Sequence, residues 1–177
     1  MTETLCYTTH DSAIGKLLLV AGGRGLRYLT LLAEDEDAES HLAQKFPTPP
    51  QANLVELADF FTTACDEIDR CLVTGGAPLK LPYELAEGTP LQRAVWLAIA
   101  KVPYGETISY TTLAERVGFP RAVRAVASAC GANPVPLAIP CHRIVAKDGT
   151  LGGFSLGGLH VKEKLLSLEA TDKARVA

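Results

Sequence analysis

The change of character across residues 84–88 constrains this chain more than any other feature. Before it, short apolar runs punctuated by glycine and proline dominate, and residues 1–90 carry 6 Lys/Arg against 14 Asp/Glu. After it, apolar residues recur at helical spacing, and residues 91–177 carry 11 Lys/Arg against 6 Asp/Glu. A switch in both periodicity and charge predicts two units, an N-terminal domain over 1–86 and a C-terminal domain over 87–177, within the size range of small domains. The sequence around the switch also starts a helix. Thr89 is a good N-cap, Pro90 suits the first helical position, and Leu91, Val95, Ala98, Ile99 and Val102 fall on one face.

Thr4–Thr9, Leu17–Ala21 and Leu26–Leu32 read as strands, with Gly22, Gly23 and Gly25 turning the last two against each other. A helix is expected over Glu34–Phe46, stopped by Pro47, Pro49 and Pro50. A second helix is expected from a cap at Asn53, with Glu56 three residues on, to Gly75-Gly76; Leu54, Leu57, Ala58, Phe61, Ala64, Cys65, Ile68 and Leu72 fall on one face. The expected class is therefore α/β with a small antiparallel sheet in the N-terminal domain, followed by a mainly α C-terminal domain.

Hydrophobic residues at 47% and charged residues at 21% exclude a disordered tail or a coiled-coil rod. The longest apolar block, Ala94–Ala100, falls far short of the roughly 20 residues of a membrane span, and no secretory leader is visible, so a cytoplasmic location is expected. The five cysteines are odd in number and irregularly spaced, which fits a reducing compartment, and the four histidines show no paired ligand spacing. No metal and no cofactor are expected.

Between Ser109 and Gly131 the pattern is that of a helix-turn-helix: Ser109 as cap, Leu113 and Val117 facing inward, and Gly118-Phe119-Pro120 as the break. At about 100° per residue, the second helix turns Val123, Val126, Ala127 and Cys130 to one side and Arg121, Arg124, Ala125 and Ser128 to the other. Two guanidiniums among small side chains suit close approach to a nucleic-acid groove, but from this segment alone an ordinary solvated face is the preferred reading.

The run Asn133-Pro134-Val135-Pro136-Leu137-Ala138-Ile139-Pro140-Cys141-His142-Arg143 carries the sharper signal. Three prolines are expected to hold the approach extended, and positive charge beside Cys141 is expected to lower its thiol pKa toward the reactive thiolate. Against this stands a buried structural cysteine, and spacing alone leaves the two readings balanced. Gly153-Phe154-Ser155-Leu156-Gly157 matches the nucleophile elbow of serine hydrolases, but too little chain follows for a hydrolase sheet.

Pro140-Cys141-His142-Arg143-Ile144-Val145, preceded by Asn133-Pro134, closely resembles the active-site signature of the O6-alkylguanine-DNA alkyltransferases, suicide methyltransferases that repair alkylated DNA. Gln92, Val95-Trp96, Pro103-Tyr104-Gly105-Glu106, Ser109-Tyr110, Arg124-Ala125-Val126, Gly157-Gly158-Leu159, Lys162 and Glu169 follow in the family's order. The resemblance implies that Cys141 accepts the alkyl group, that His142 acts through a water, and that Glu169 orients the histidine. It implies that Tyr110 donates a proton to the departing guanine and that Arg124 fills the gap left by the flipped nucleotide. Arg121, Ala125 and Ser128 would line the DNA-facing surface, and Asn133 would be the hinge before the cysteine loop. Ile144, Phe154 and Ser155 would form the base pocket, Phe154 standing where several relatives have tyrosine. The implied partner is duplex DNA carrying O6-alkylguanine, with thymine O4 as a second position, bound by a monomer or cooperatively along the strand. Cys6 matches one zinc ligand of some animal members, while Gly22 and Arg27 occupy the neighbourhood of two others. Two rivals remain: the alkyltransferase-like proteins, which replace the acceptor cysteine that this chain keeps, and a cysteine hydrolase. The hydrolase is disfavoured because neighbours in an extended chain point to opposite sides.

Overall fold

A computed structural model describes residues 4–52, 55–74 and 79–176, with the side chains after 171 left aside. Three strands, β1 (Cys6–Ser12), β2 (Gly15–Gly22) and β3 (Gly25–Leu31), form consecutive antiparallel hairpins. The second turn requires glycine: Gly25 has φ +122°, and a Cβ there would lie 2.3 Å from the Pro82 carbonyl oxygen. Helix α1 (Ala38–Lys45) leads into β4 (Gln51–Ala52), which pairs in parallel with β1, so the order is β3-β2-β1-β4. The sheet is therefore mixed, not purely antiparallel as expected. The crossover through α1 returns the chain in β1's direction, and a two-residue strand has no periodicity to read.

β2 is central and covered on both faces. Leu17, Leu19 and Ala21 point into the main core, while Leu18 and Val20 meet Leu32 and Leu42 on the other side. Helix α1 is shorter than expected because Asp37 caps it, its carboxylate accepting from the Ser40 N–H at 2.9 Å. Helix α2 (Ala58–Val73) buries Phe61, Ala64, Ile68 and Leu72 of the expected face, while Leu57, Ala58 and Cys65 are half-buried and Leu54 lies outside the described residues. It begins after a short 3₁₀ turn at Val55–Leu57 with no side-chain cap on Leu57, while Asn53 and Gly75-Gly76 lie outside the described residues.

Helix α3 (Pro90–Ile99) starts as the sequence indicates, and Thr89 and Gln92 complete a reciprocal capping box. Its Trp96 donates from Nε1 to the Ala129 carbonyl at 2.8 Å, tying α3 to α5 (Val123–Gly131). Helix α4 (Tyr110–Arg116), capped by Ser109, precedes α5, with Gly118 at φ +82° in the turn between them. A small parallel pair, β5 (Ile108–Ser109) and β6 (Ile144–Val145), sets the start of α4 beside the segment that follows Cys141. Helix α6 (Leu159–Val176) packs Val161 and Leu165 into the main core. That core is continuous across residue 86: Leu17, Leu26, Phe61 and Ile68 join Val95, Ile99, Leu113 and Val126 in one cluster. A backbone bond crosses it too, from Leu29 N–H to Pro134 O at 2.8 Å. Among the described residues, no helix is long and apolar enough to cross a membrane.

Candidate active site

The cysteine loop is built by Asn133, which is buried at the end of α5. Its Oδ1 accepts from the Val135 N–H at 3.1 Å, and its Nδ2 donates to the Ile139 carbonyl at 2.8 Å and to Cys141 Sγ at 3.1 Å. Ile139 N–H also donates to Val135 O at 2.9 Å, and Leu137 adopts φ +72°. The approach to Cys141 is thus folded back on itself, not extended as the prolines suggest. Proline fixes its own φ but leaves the residues between free to turn. Cys141–Arg143 then forms a single 3₁₀ turn. Neighbouring side chains in such a turn diverge by about 120°, so the extended-chain ground for rejecting a Cys–His couple does not hold here.

What the His142 ring does instead is decided by Glu169, reached from α6. His142 Nε2 lies 2.7 Å from Glu169 Oε1; Arg143 donates to the same carboxylate from Nε and Nη2, both at 2.9 Å, and the Gly105 N–H donates at 3.0 Å. The remaining Arg143 nitrogen, Nη1, donates to Val102 O at 2.8 Å. Burial alone would raise the Glu169 pKa, but the hydrogen bonds and charges of His142 and Arg143 hold it down at about 2. Burial lowers the His142 pKa, with Glu169 opposing. An anionic carboxylate facing a neutral imidazole fixes the tautomer: Nε2 carries the proton and Nδ1 keeps its lone pair. Nδ1 is a buried atom with no hydrogen-bond partner among the described residues.

Cys141 is 4% exposed, and burial pushes its thiol pKa up; the Asn133 bond and the Lys162 ammonium pull the other way. The expected lowering by adjacent positive charge is thereby overturned, since His142 is neutral and Arg143 is committed to Glu169. The cation that does favour the thiolate is Lys162, twenty-one positions later in the sequence. Fully buried, it donates from Nζ to the Ile144 carbonyl at 2.6 Å and to the Gly153 carbonyl at 3.3 Å, 5.9 Å from the Tyr110 ring centre. Its role was missed by sequence reasoning. The available signal was a lysine flanked by Val161 and Leu165 on the apolar stripe of α6.

A cavity of about 280 Å³ opens onto Cys141. Tyr110 lines it from α4, Ala127 and Cys130 from α5, and Phe154 and Ser155 from the loop before α6. The Phe154 ring also meets His142 edge-on, centroids 6.3 Å apart. Burial pushes the Tyr110 hydroxyl up to about 12. Ile144, expected in the base pocket, is buried and does not line this cavity, and its carbonyl accepts from Lys162. Arg124, Ala125 and Ser128 are exposed, as the periodicity of α5 predicts, while Val126, Ala129 and Cys130 are buried; Arg121 is exposed too, but in the turn before α5 and not on the helix where the sequence placed it. Among the described residues, no group of three or more His, Cys, Asp or Glu side chains is arranged to hold a metal.

Residues 90–171 match the family profile described as 6-O-methylguanine DNA methyltransferase, DNA binding domain. The bifunctional transcriptional activator/DNA repair enzyme Ada of Escherichia coli is 40% identical over 96% of this chain, which spans only 46% of that protein's length. The methylated-DNA–protein-cysteine methyltransferase of Methanosarcina barkeri is 37% identical over 92% of this chain and 96% of its own. The crystal structure of Mycobacterium tuberculosis OGT in complex with DNA superimposes with a TM-score of 0.74 at 34% identity, covering 94% of both chains. Sequence similarity along nearly the whole length, together with the shared fold, settles the relationship: this chain belongs to the 6-O-methylguanine DNA methyltransferase family.

Proposed function

We propose that this protein reverses DNA alkylation by moving an alkyl group irreversibly from guanine O6 in duplex DNA to Cys141, with no cofactor consumed. The observation that carries the reading is a buried thiol at a base-sized cavity, backed by a neutral histidine whose free nitrogen is aimed by a buried carboxylate. His142 Nδ1, through a water, takes the thiol proton as attack begins; Glu169 stabilises the imidazolium that forms. The Cys141 sulfur then bonds the alkyl carbon as its bond to O6 breaks, and the electron pair passes to guanine. Tyr110, protonated at any working pH, supplies a proton to the departing base. Lys162 steadies the thiolate while it exists.

In this reading α4 and α5 act as a helix-turn-helix in the C-terminal unit over 87–177, following an N-terminal unit over 1–86. The exposed Arg121, Arg124, Ala125 and Ser128 support placing α5 in the minor groove, with Arg124 filling the space of the extruded nucleotide. Asn133 holds the loop that presents the thiol; Phe154, Ser155 and the main chain around Ile144 receive the base. The protein works as a monomer inside the cell.

The product is a thioether, which lacks the electrophilic carbonyl through which an acyl-enzyme hydrolyses, so the reaction stops after one turnover. Incubation with an excess of duplex carrying a single O6-methylguanine, followed by peptide mass spectrometry, is expected to show one equivalent repaired and one methyl group on the Cys141 peptide. Continued repair, or methyl on another cysteine, would overturn the assignment.

A further inference from the structure

The mechanism uses one thiol of the cavity, but two line it. Cys130, at the C-terminal end of α5, is 4% exposed like Cys141. One residue touches both: the Asn133 N–H donates to the Cys130 carbonyl at 3.2 Å, while Asn133 Nδ2 donates to Cys141 Sγ at 3.1 Å. The fold-back at Leu137 is what returns Cys141 to the end of the helix that carries Cys130. The two sulfurs also share an electrostatic environment. A charge on Cys141 raises the Cys130 pKa, and Lys162 lowers both. The other cysteines lie elsewhere, Cys6 in β1 and Cys65 and Cys71 on α2.

We propose that Cys130 and Cys141 are a resolving pair, closed by low-molecular-weight disulfides such as oxidised glutathione into an intramolecular disulfide that reversibly withholds the acceptor. Cys141, freed of its proton, attacks one sulfur of oxidised glutathione; that disulfide breaks and one glutathione leaves, taking up a proton. The Cys130 sulfur then attacks Cys141 in the mixed disulfide and expels the second glutathione. The protein loses two protons and two electrons, and the oxidant takes them up to become two thiols. The order follows from the surroundings: burial raises both thiols, but at Cys141 the Asn133 hydrogen bond to Sγ opposes the rise, whereas Cys130 is pushed up to about 12 and is a poor first nucleophile and a resolving one only at close quarters. A single-use acceptor gains from this, because a disulfide is recovered by reduction whereas stepwise oxidation to sulfinic acid is not. The loss of transfer rests on the acceptor reading above; formation of the disulfide does not.

The reduced protein is first assayed for methyl transfer, then treated with oxidised glutathione, alkylated to block free thiols and digested without reductant for mass spectrometry. The expected product is a Cys130–Cys141 cross-linked peptide, with transfer lost in proportion to the cross-link and restored by dithiothreitol. Cys130→Ser should instead accumulate glutathione on Cys141. Lasting glutathione on Cys141 in the unaltered protein, pairing of Cys141 with another cysteine, or no oxidation at all would each overturn the proposal. Failure of the reduced protein to accept methyl would count against the acceptor reading alone.

Discussion

Replacing Glu169 with glutamine tests the centre of the site, and its cost follows from the geometry. The carboxylate is 5% exposed and accepts from His142, from two nitrogens of Arg143 and from the Gly105 N–H. Removing its charge leaves the Arg143 guanidinium, 6% exposed, with the Val102 carbonyl as its remaining acceptor of full strength. Breaking a buried pair in this way costs about 3–5 kcal/mol. Independently, a carboxyl held at about 2 against an ordinary 4.5 contributes about 3 kcal/mol at most. Its folded pKa is depressed, so the contribution is complete above 4.5 and is lost as pH falls toward 2. The lowered His142 pKa acts in the same direction, since the unfolded chain takes up that proton first, below its ordinary 6.5. Urea unfolding followed by the fluorescence of Trp96, the single buried tryptophan, measures the difference. Glu169→Gln should be about 3 kcal/mol less stable than the parent at pH 7, and the gap should narrow steadily below pH 4.5. A gap under about 1 kcal/mol at pH 7, or one unchanged by acidification, would refute the argument.

Arg124→Ala should slow repair of a paired lesion more than repair of a lesion opposite an abasic gap, because extrusion costs a few kcal/mol only when pairing must be broken; equal slowing in single-turnover assays would mark a general phosphate contact. Tyr110→Phe should reduce the transfer rate by roughly 10²–10⁴, the usual worth of a positioned proton donor, and an unchanged rate would remove Tyr110 from the chemistry. Cys130→Met fills the cavity wall beside Cys141 and should slow transfer of a benzyl group more than transfer of methyl. Equal rates on the two duplexes would place the alkyl substituent elsewhere.

What could be read from the sequence divides by range of interaction. The start of α3 was legible because Thr89, Pro90 and Gln92 act on one another within a single turn. The exposed face of α5 was legible because helical periodicity alone sorts Arg124 from Val126. The partner of β1 in β4 was not, since a two-residue strand is made by its neighbour and not by its own pattern. The same contrast governs the site. The motif Pro140-Cys141-His142-Arg143 singled out the candidate acceptor, yet the electrostatics inferred from that adjacency ran the wrong way. Arg143 follows the thiol by two residues and spends its charge on Glu169, and His142 is adjacent but neutral. Lys162 sits far along the chain, and it is the cation that acts on the sulfur. Sequence distance says which residues are bonded in the chain; the field at Sγ depends on which cations retain charge after their own pairing, and that is decided only when α6 packs against the cysteine loop. Reactivity at Cys141 is therefore a property of the assembled core. Substitutions on α6 that leave the motif untouched, at Lys162 or Glu169, should alter the thiol as strongly as changes beside it.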